Sequence, residues 1–208
     1  LGAIVVSFDY DDNSVWCTRA LKEKFYVDDE NWSIRQGSAL DTKFMGSLNQ
    51  FDIVYSWGVL HHTGKMWAAI DNCIELVKSN GMLFIAIYND QGFKSHIWWI
   101  IKWIYNKLPK FLQKPYCLSA HFLITFLMII KYSIKLRPMK VIQPIFNYKK
   151  SRGMSWYSDI ADTYGGFPYE FAEYDYLIEF IENKGFKLQH GKSASSLGCH
   201  ELVFKKIG

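Results

Sequence analysis

The 208-residue sequence predicts an α/β fold: a doubly wound, mostly parallel sheet with an antiparallel last strand, interrupted by a helical insertion. Three observations predict it. Strand-patterned and helix-patterned segments follow one another up to Tyr88 in the order β-α-β-β-α-β, with short connections. The strand candidates are continuous apolar runs, as expected of strands covered on both faces. The rhythm breaks over residues 92–152 and returns after residue 172.

Residues 3–9 form the first strand, a β-branched run that ends in the acids Asp9, Asp11 and Asp12. From Asn13 or Ser14 to Phe25 the period turns helical, with Val15, Thr18, Leu21 and Phe25 near one face and Asn13 or Ser14 as the cap. Trp32 to Gln36 is a short strand before a turn at Gly37, and Phe51 to Ser56 is the next strand. Met66 to Lys78 reads as a helix with Trp67, Ile70, Ile74 and Val77 in one stripe, stopped by Asn80-Gly81. Met82 to Tyr88 is a strongly apolar strand. After the insertion come a helix, Tyr174 to Asn183, a strand, Phe186 to His190, and a last strand within Leu197 to Lys206. The domain division expected from this is residues 1–91 and 172–208 for the α/β core and 92–171 for the insertion.

The formal charge of +4 hides an asymmetry. Between Lys94 and Arg152 there are twelve Lys or Arg and no Asp or Glu, which leaves twelve basic against twenty acidic residues elsewhere. Cys17, Cys73, Cys117 and Cys199 are far apart and form no CxxC pair, which argues against a zinc site and a disulfide framework. No metal is expected, and a reducing, cytoplasmic setting fits best.

In a parallel α/β sheet, ligands sit at the carboxyl ends of the strands. That rule singles out Asp9 to Asp11, Gly37 to Asp41, Ser56 to His62 and Tyr88 to Asp90. A carboxylate at Asp9 can accept two ribose hydroxyls, or be an ordinary loop acid. Gly58 lets backbone approach a ligand closely. A histidine at His61 or His62 can take a proton near neutral pH, or bond local backbone. Ser38 and Asp41 can be site residues or turn formers, and Asn89 and Asp90 can equally start a helix.

The strand ending in Asp9, the turn at Gly37, the stretch FDIVYSWGVLHH and the stretch NGMLFIAIY together resemble a class I S-adenosylmethionine-dependent methyltransferase, a Rossmann-like fold. The closing helix-strand-strand, with a hairpin around Ser193 to Gly198, is similar to that fold's last two strands. The likeness covers most of residues 1–90 and 172–206, and YND, RGMSWYSD, YGGFPYEFA and LGCHELVFK look like one bacterial subgroup with no settled substrate. In that family a strand and a GxGxG loop come before the part that matches Leu1. The resemblance therefore implies a chain lacking its N-terminal strand and glycine loop, with Leu1-Gly2-Ala3 at the end of a first helix.

The resemblance implies S-adenosylmethionine as cofactor, held by Asp9, Tyr10, Gly37, Ser38, Ala39, Asp41, Ser56, Trp57 and Gly58. Family members often carry an acid after the glycine of the third strand; here that place is Ser38, with Asp41 or backbone amides as substitutes. His61 and His62 fall where acceptor and methyl meet, as catalytic candidates. Tyr88, Asn89, Asp90, Arg152, Tyr164 and Tyr169 are the acceptor-side candidates, and Gly165, Gly166 and Glu170 are weaker ones. Methyl transfer asks mainly for placement of the nucleophile, so no lone acid or base identifies the reaction.

The insertion alternates Lys102, Lys107, Lys110 and Lys114 with Trp98, Trp99, Trp103 and Phe111, then runs apolar from residue 117 to 134. An acceptor lid and a contact with an anionic membrane at the inner face are the two main readings; nucleic acid or a dimer interface ranks below them. The expected partner is a small, hydrophobic acceptor, quinone-like or lipid-linked. An RNA or protein methyltransferase, a non-catalytic nucleotide-binding or scaffold protein, and a dehydrogenase stay open at this point.

Overall fold

A computed structural model describes residues 2–27, 29–134 and 156–208. The chain divides into two compact units, Leu1–Asp90 with Glu170–Gly208, and Gln91–Tyr169.

The first unit opens with β1 (Val5–Asp9) and α1 (Asp12–Phe25). The cap of α1 is Asp11, not the expected Asn13 or Ser14, because its carboxylate reaches the Ser14 amide at 2.9 Å. β2 (Trp32–Gln36) lies parallel to β1, with Val5 opposite Trp32 and Asp9 opposite Gln36. A short helix not foreseen from the periodicity, α2 (Thr42–Gly46), follows; Asp41 starts it by accepting from the amides of Lys43 and Phe44. Then come β3 (Phe51–Trp57), a single 3-10 turn (Leu60–His62), α3 (Met66–Glu75) and β4 (Val77–Tyr88).

The helix expected to run to Lys78 stops three residues sooner. Val77 is fully buried and pairs with Phe51, so the chain enters β4 at once. The surplus residues bulge between Val77 and Met82, with Asn80 at φ 62°, and the ladder resumes at Ile53 opposite Met82. Asn80-Gly81 thus punctuates a strand, not a helix end.

In the second unit, α4 (Phe93–Lys107), α5 (Lys110–Ile134) and α6 (Trp156–Gly165) pack around Cys117, Ile160 and Tyr164. Lys102 is 3 % exposed there. Its Nζ donates to the Thr163 carbonyl and lies 5.1 Å from the Tyr169 ring centre. Burial pushes its pKa down to about 8, against the pull of Asp162.

The first unit closes with α7 (Tyr174–Glu182), β5 (Phe186–Lys192) and β6 (Cys199–Lys206). Its strands form a pair, β1-β2, and a sheet of order β3-β4-β6-β5. β3 runs parallel to β4, and β6 is antiparallel to both β4 and β5. β3, β4 and β5 thus run one way, as alternating elements imply, and β6 runs the other, the antiparallel last strand that the resemblance implies. Its core joins Leu83, Ile85 and Ile87 of β4 with Ile70 and Ile74 of α3 and Leu177 and Ile181 of α7. Leu1 lies outside the described residues, and Gly2 and Ala3 are not helical, so a helix end there is not among the described features.

Candidate functional site

Parallel pairing brings the ends of β1 and β2 together: the Gly37 amide donates to the Asp9 carbonyl at 3.0 Å. Asp9 stays exposed, with Oδ1 accepting from the Asp11 amide at 2.9 Å. Tyr10 is 78 % exposed and its carbonyl accepts from Gln36 Nε2. Both side chains are thus presented outward at a strand tip.

The next turn is built differently from its expectation. A Cβ on Gly37 would lie 2.3 Å from the Phe44 ring, so glycine is required here by packing of Phe44 on Phe8. Ser38 Oγ accepts from the Leu40 amide, and the Ala39 carbonyl accepts from Asn72 Nδ2 at 2.7 Å. Asp41 Oδ1 takes both amides that begin α2. Ser38, Ala39 and Asp41 therefore act as turn and cap residues in this structure, the role that the sequence left open for Ser38 and Asp41 beside a site role.

At the end of β3, Ser56 is half-buried opposite Ile85. Trp57 is 37 % exposed and stacks on Tyr55, centres 5.7 Å apart and planes 6° apart. Gly58 has φ 78°, a backbone state that L side chains rarely adopt, with open space where a Cβ would sit. Its amide donates to the Ala86 carbonyl.

The two histidines of the 3-10 turn differ. His61 is 1 % exposed and its Nδ1 accepts from the Tyr88 amide at 3.3 Å. In the neutral ring, an Nδ1 that accepts this bond leaves the ring proton on Nε2. His61 ties the turn to the end of β4 through that bond, the backbone-bonding role that the sequence left open beside a catalytic one. His62 is half-buried, with its ring 4.5 Å from that of His61 and 5.4 Å from that of Tyr88.

Tyr88, Asn89 and Asp90 end β4. Asn89 Nδ2 donates to the carbonyls of Ala194 and Ser196, and its amide donates to the Gly198 carbonyl. It thereby fastens the loop before β6, a role that accounts for the residue without a ligand. The Asp90 amide donates to the Ala172 carbonyl, and Ala172 donates to the Tyr88 carbonyl.

Sequence reasoning undervalued the segment Glu170–Ala172. The Glu170 amide donates to the His61 carbonyl, and its carboxylate oxygens accept from the Met66 amide at 3.1 and 3.0 Å. A remote glutamate thus caps α3 and holds the histidine turn. Its partner lies 104 positions away, so no local pattern announces it. The signal available was the acidic residue after Gly165-Gly166.

Three acceptor-side candidates lie outside the described residues of the first unit. Arg152 lies outside the described residues. Tyr164 and Tyr169 belong to the second unit, where they are 1 % and 3 % exposed. Tyr164 packs beside Trp98, and burial pushes its hydroxyl up to about 12. Tyr164 belongs to the core of the helical unit, and Tyr169 lies against Lys102 within it. Among the described residues no group of three or more His, Cys, Asp or Glu could hold a metal ion.

Residues 1–85 match a protein family described as Methyltransferase domain. Solved structures of similar fold cover nearly all of the chain. Magnesium protoporphyrin IX methyltransferase (ChlM) from Synechocystis PCC 6803 with bound SAH matches at TM-score 0.53 and 11 % identity, over 99 % of this chain and 65 % of that one. PKMT2 from Rickettsia typhi in complex with AdoHcy matches at TM-score 0.62 and 12 % identity, over 97 % and 44 %. The chain has a class I methyltransferase fold. TehB from Haemophilus influenzae shares this methyltransferase fold at TM-score 0.52 and 13 % identity, over 99 % of this chain and 51 % of that one. The chain spans less than two thirds of the length of each of these three structures. No curated protein sequence matches it.

Proposed function

We propose that the protein is an S-adenosylmethionine-dependent methyltransferase acting on a small, hydrophobic acceptor. The observation that carries this reading is the exposed Asp9-Tyr10 pair at the tip of a parallel strand, within residues that match a methyltransferase domain. The residues present fit the cofactor. One Asp9 oxygen holds its turn while the carboxylate remains open to solvent, so it can accept the ribose hydroxyls. Tyr10 offers an uncovered ring to the adenine, and Gly58 leaves space beside the strand end.

S-adenosylmethionine, when bound, supplies an activated methyl group. The chain's own work is then to place the acceptor and manage one proton. His62 is the residue we assign to that proton, taken from an acceptor hydroxyl onto an imidazole nitrogen, while His61, Tyr88 and Glu170 hold the turn that carries it. Asp90 and Tyr88 stand on the acceptor side. A hydrophobic acceptor, quinone-like or lipid-linked, is favoured by the apolar character of residues 117–134.

The test has two readouts. Titrating S-adenosylhomocysteine into the protein and into its Asp9→Ala variant should show affinity falling about tenfold or more, the value of a lost charged hydrogen-bond pair. Equal affinities would remove Asp9 from the site. Radiolabelled methyl should then appear in the lipid extract of a reaction supplied with cell lysate; label confined to RNA or protein would overturn the small-acceptor reading.

A further inference from the structure

Helix α5 carries an apolar stripe that is exposed among the described residues. Phe122, Phe126, Ile130 and Ile134 recur every four residues, at 72 %, 49 %, 43 % and 78 % exposure, and Leu123 and Leu127 lie beside them at 57 % and 56 %. The opposite face is in use, with Cys117 fully buried and Ala120 and Ile124 packed against the cluster that holds Ile160 and Tyr164. Only 6 % of the helix's most apolar stretch is buried. Helix α4 of the same unit adds Trp99 and Trp103, 40 % and 41 % exposed and stacked at 6.3 Å. An exposed apolar stripe of this length on one helix marks a contact.

Charge decides which contact. The stripe sits in a stretch, Lys94 to Arg152, with twelve basic residues and no acidic one. A second copy meeting on α5 would set this stretch, which itself carries no acid, against its own like. An anionic bilayer surface is complementary to both features: lysines for the headgroups, and Phe, Leu, Ile and Trp for the acyl boundary. A full span is disfavoured. The sixteen residues between Lys114 and Lys131 reach about 24 Å as a helix, short of the ~30 Å hydrocarbon core, and one face of that helix is already packed against protein.

We propose that α4 and α5 seat the protein on an anionic membrane surface, with α5 lying in the interface on its Phe122-Phe126-Ile130 stripe. This placement does not depend on the methyltransferase reading, because it is measured without cofactor or acceptor. The experiment is sedimentation of the full chain with vesicles of phosphatidylglycerol and phosphatidylcholine, against vesicles of phosphatidylcholine alone, at low and high salt. Binding should be strong only to the anionic vesicles and weaken with salt. Phe126→Asp and Leu123→Asp, both at exposed positions, should each reduce partitioning about tenfold or more, the value of one apolar side chain withdrawn from lipid. Brominated lipid should quench tryptophan fluorescence of the unsubstituted chain, a readout that does not depend on a variant folding. Absence of quenching, or binding indifferent to both variants, would overturn the proposal. So would a stable dimer in lipid-free solution that Phe126→Asp dissolves, or tighter binding to a homopolymeric RNA than to the anionic vesicles.

Discussion

At the residue scale, one amino acid type serves opposite ends. Gly37 and Gly58 both sit just beyond strand tips, but only Gly58 leaves open space; Gly37 is filled by the Phe44 ring. An alanine at Gly37 must displace that ring from Phe8, 5.2 Å away centre to centre. Gly37→Ala should therefore cost about 1–3 kcal/mol of stability, the range for an overpacked core, and Phe44→Leu in the same chain should recover part of it. Denaturant titration of the two variants checks this, and an unaltered midpoint for Gly37→Ala would show that the ring moves freely. The tips themselves were legible: Asp9, Gly58 and Tyr88 are found at strand ends because an apolar run that stops at a polar residue marks where a buried strand meets water. Which of two neighbours does the work was not legible. His61 and His62 are identical as letters, and the bond from the Tyr88 amide, 27 positions away, is what distinguishes His61 in the structure.

At the scale of elements, α3 shows how much of a boundary is non-local. Its N-terminus has no side-chain cap of its own, and Glu170 supplies one from across the chain. Removing it by Glu170→Ala should lower stability by about 1–2 kcal/mol, as for a lost cap, with Glu170→Gln recovering most of that through its remaining acceptor oxygen. If alanine and glutamine variants melt alike, the carboxylate is not acting as a cap. The other end of α3 was misread for a related reason: Val77 continues the helical stripe, yet pairing with Phe51 draws it into β4. In the helical unit, Lys102 gives a pH signature with a fixed sign. Its folded pKa, about 8, lies below the ordinary 10.5 because burial disfavours the charge. Between those values the unfolded chain holds more protons, so stability rises with pH through that window, by up to about 3 kcal/mol. Below pH 8 the full cost of the buried ammonium persists. Urea unfolding from pH 7 to 10.5 should show this rise, and Lys102→Met should flatten it; identical slopes would mean that water reaches the ammonium.

At the scale of the whole molecule, alternation of strands and helices predicts a sheet covered on both faces, and the described residues cover one of them fully. Leu83, Ile85 and Ile87 lie under α3 and α7. On the other face of β3, Ile53 and Tyr55 are 58 % and 67 % exposed and Trp57 is 37 % exposed. Val5 of β1 is 42 % exposed, and among the described residues β1 pairs with β2 alone and β3 with β4 alone. A fully apolar run such as Ile4 to Phe8 says that both faces want cover, but not what supplies it. The methyltransferase fold offers a candidate in the strand and glycine loop that precede the matching segment in that family. The exposed column on β3, not the position of Leu1, is the reason to look for it. Expressing the protein with roughly 100 codons of in-frame upstream sequence, about the size of a small domain, should then slow amide exchange in β1 and β3 and raise the melting temperature. Each large side chain newly buried contributes about 1.5–3 kcal/mol, so covering Ile53 and Tyr55 alone would be plain in a thermal scan. Unchanged exchange in β3 of the longer chain would assign that column to a different occupant.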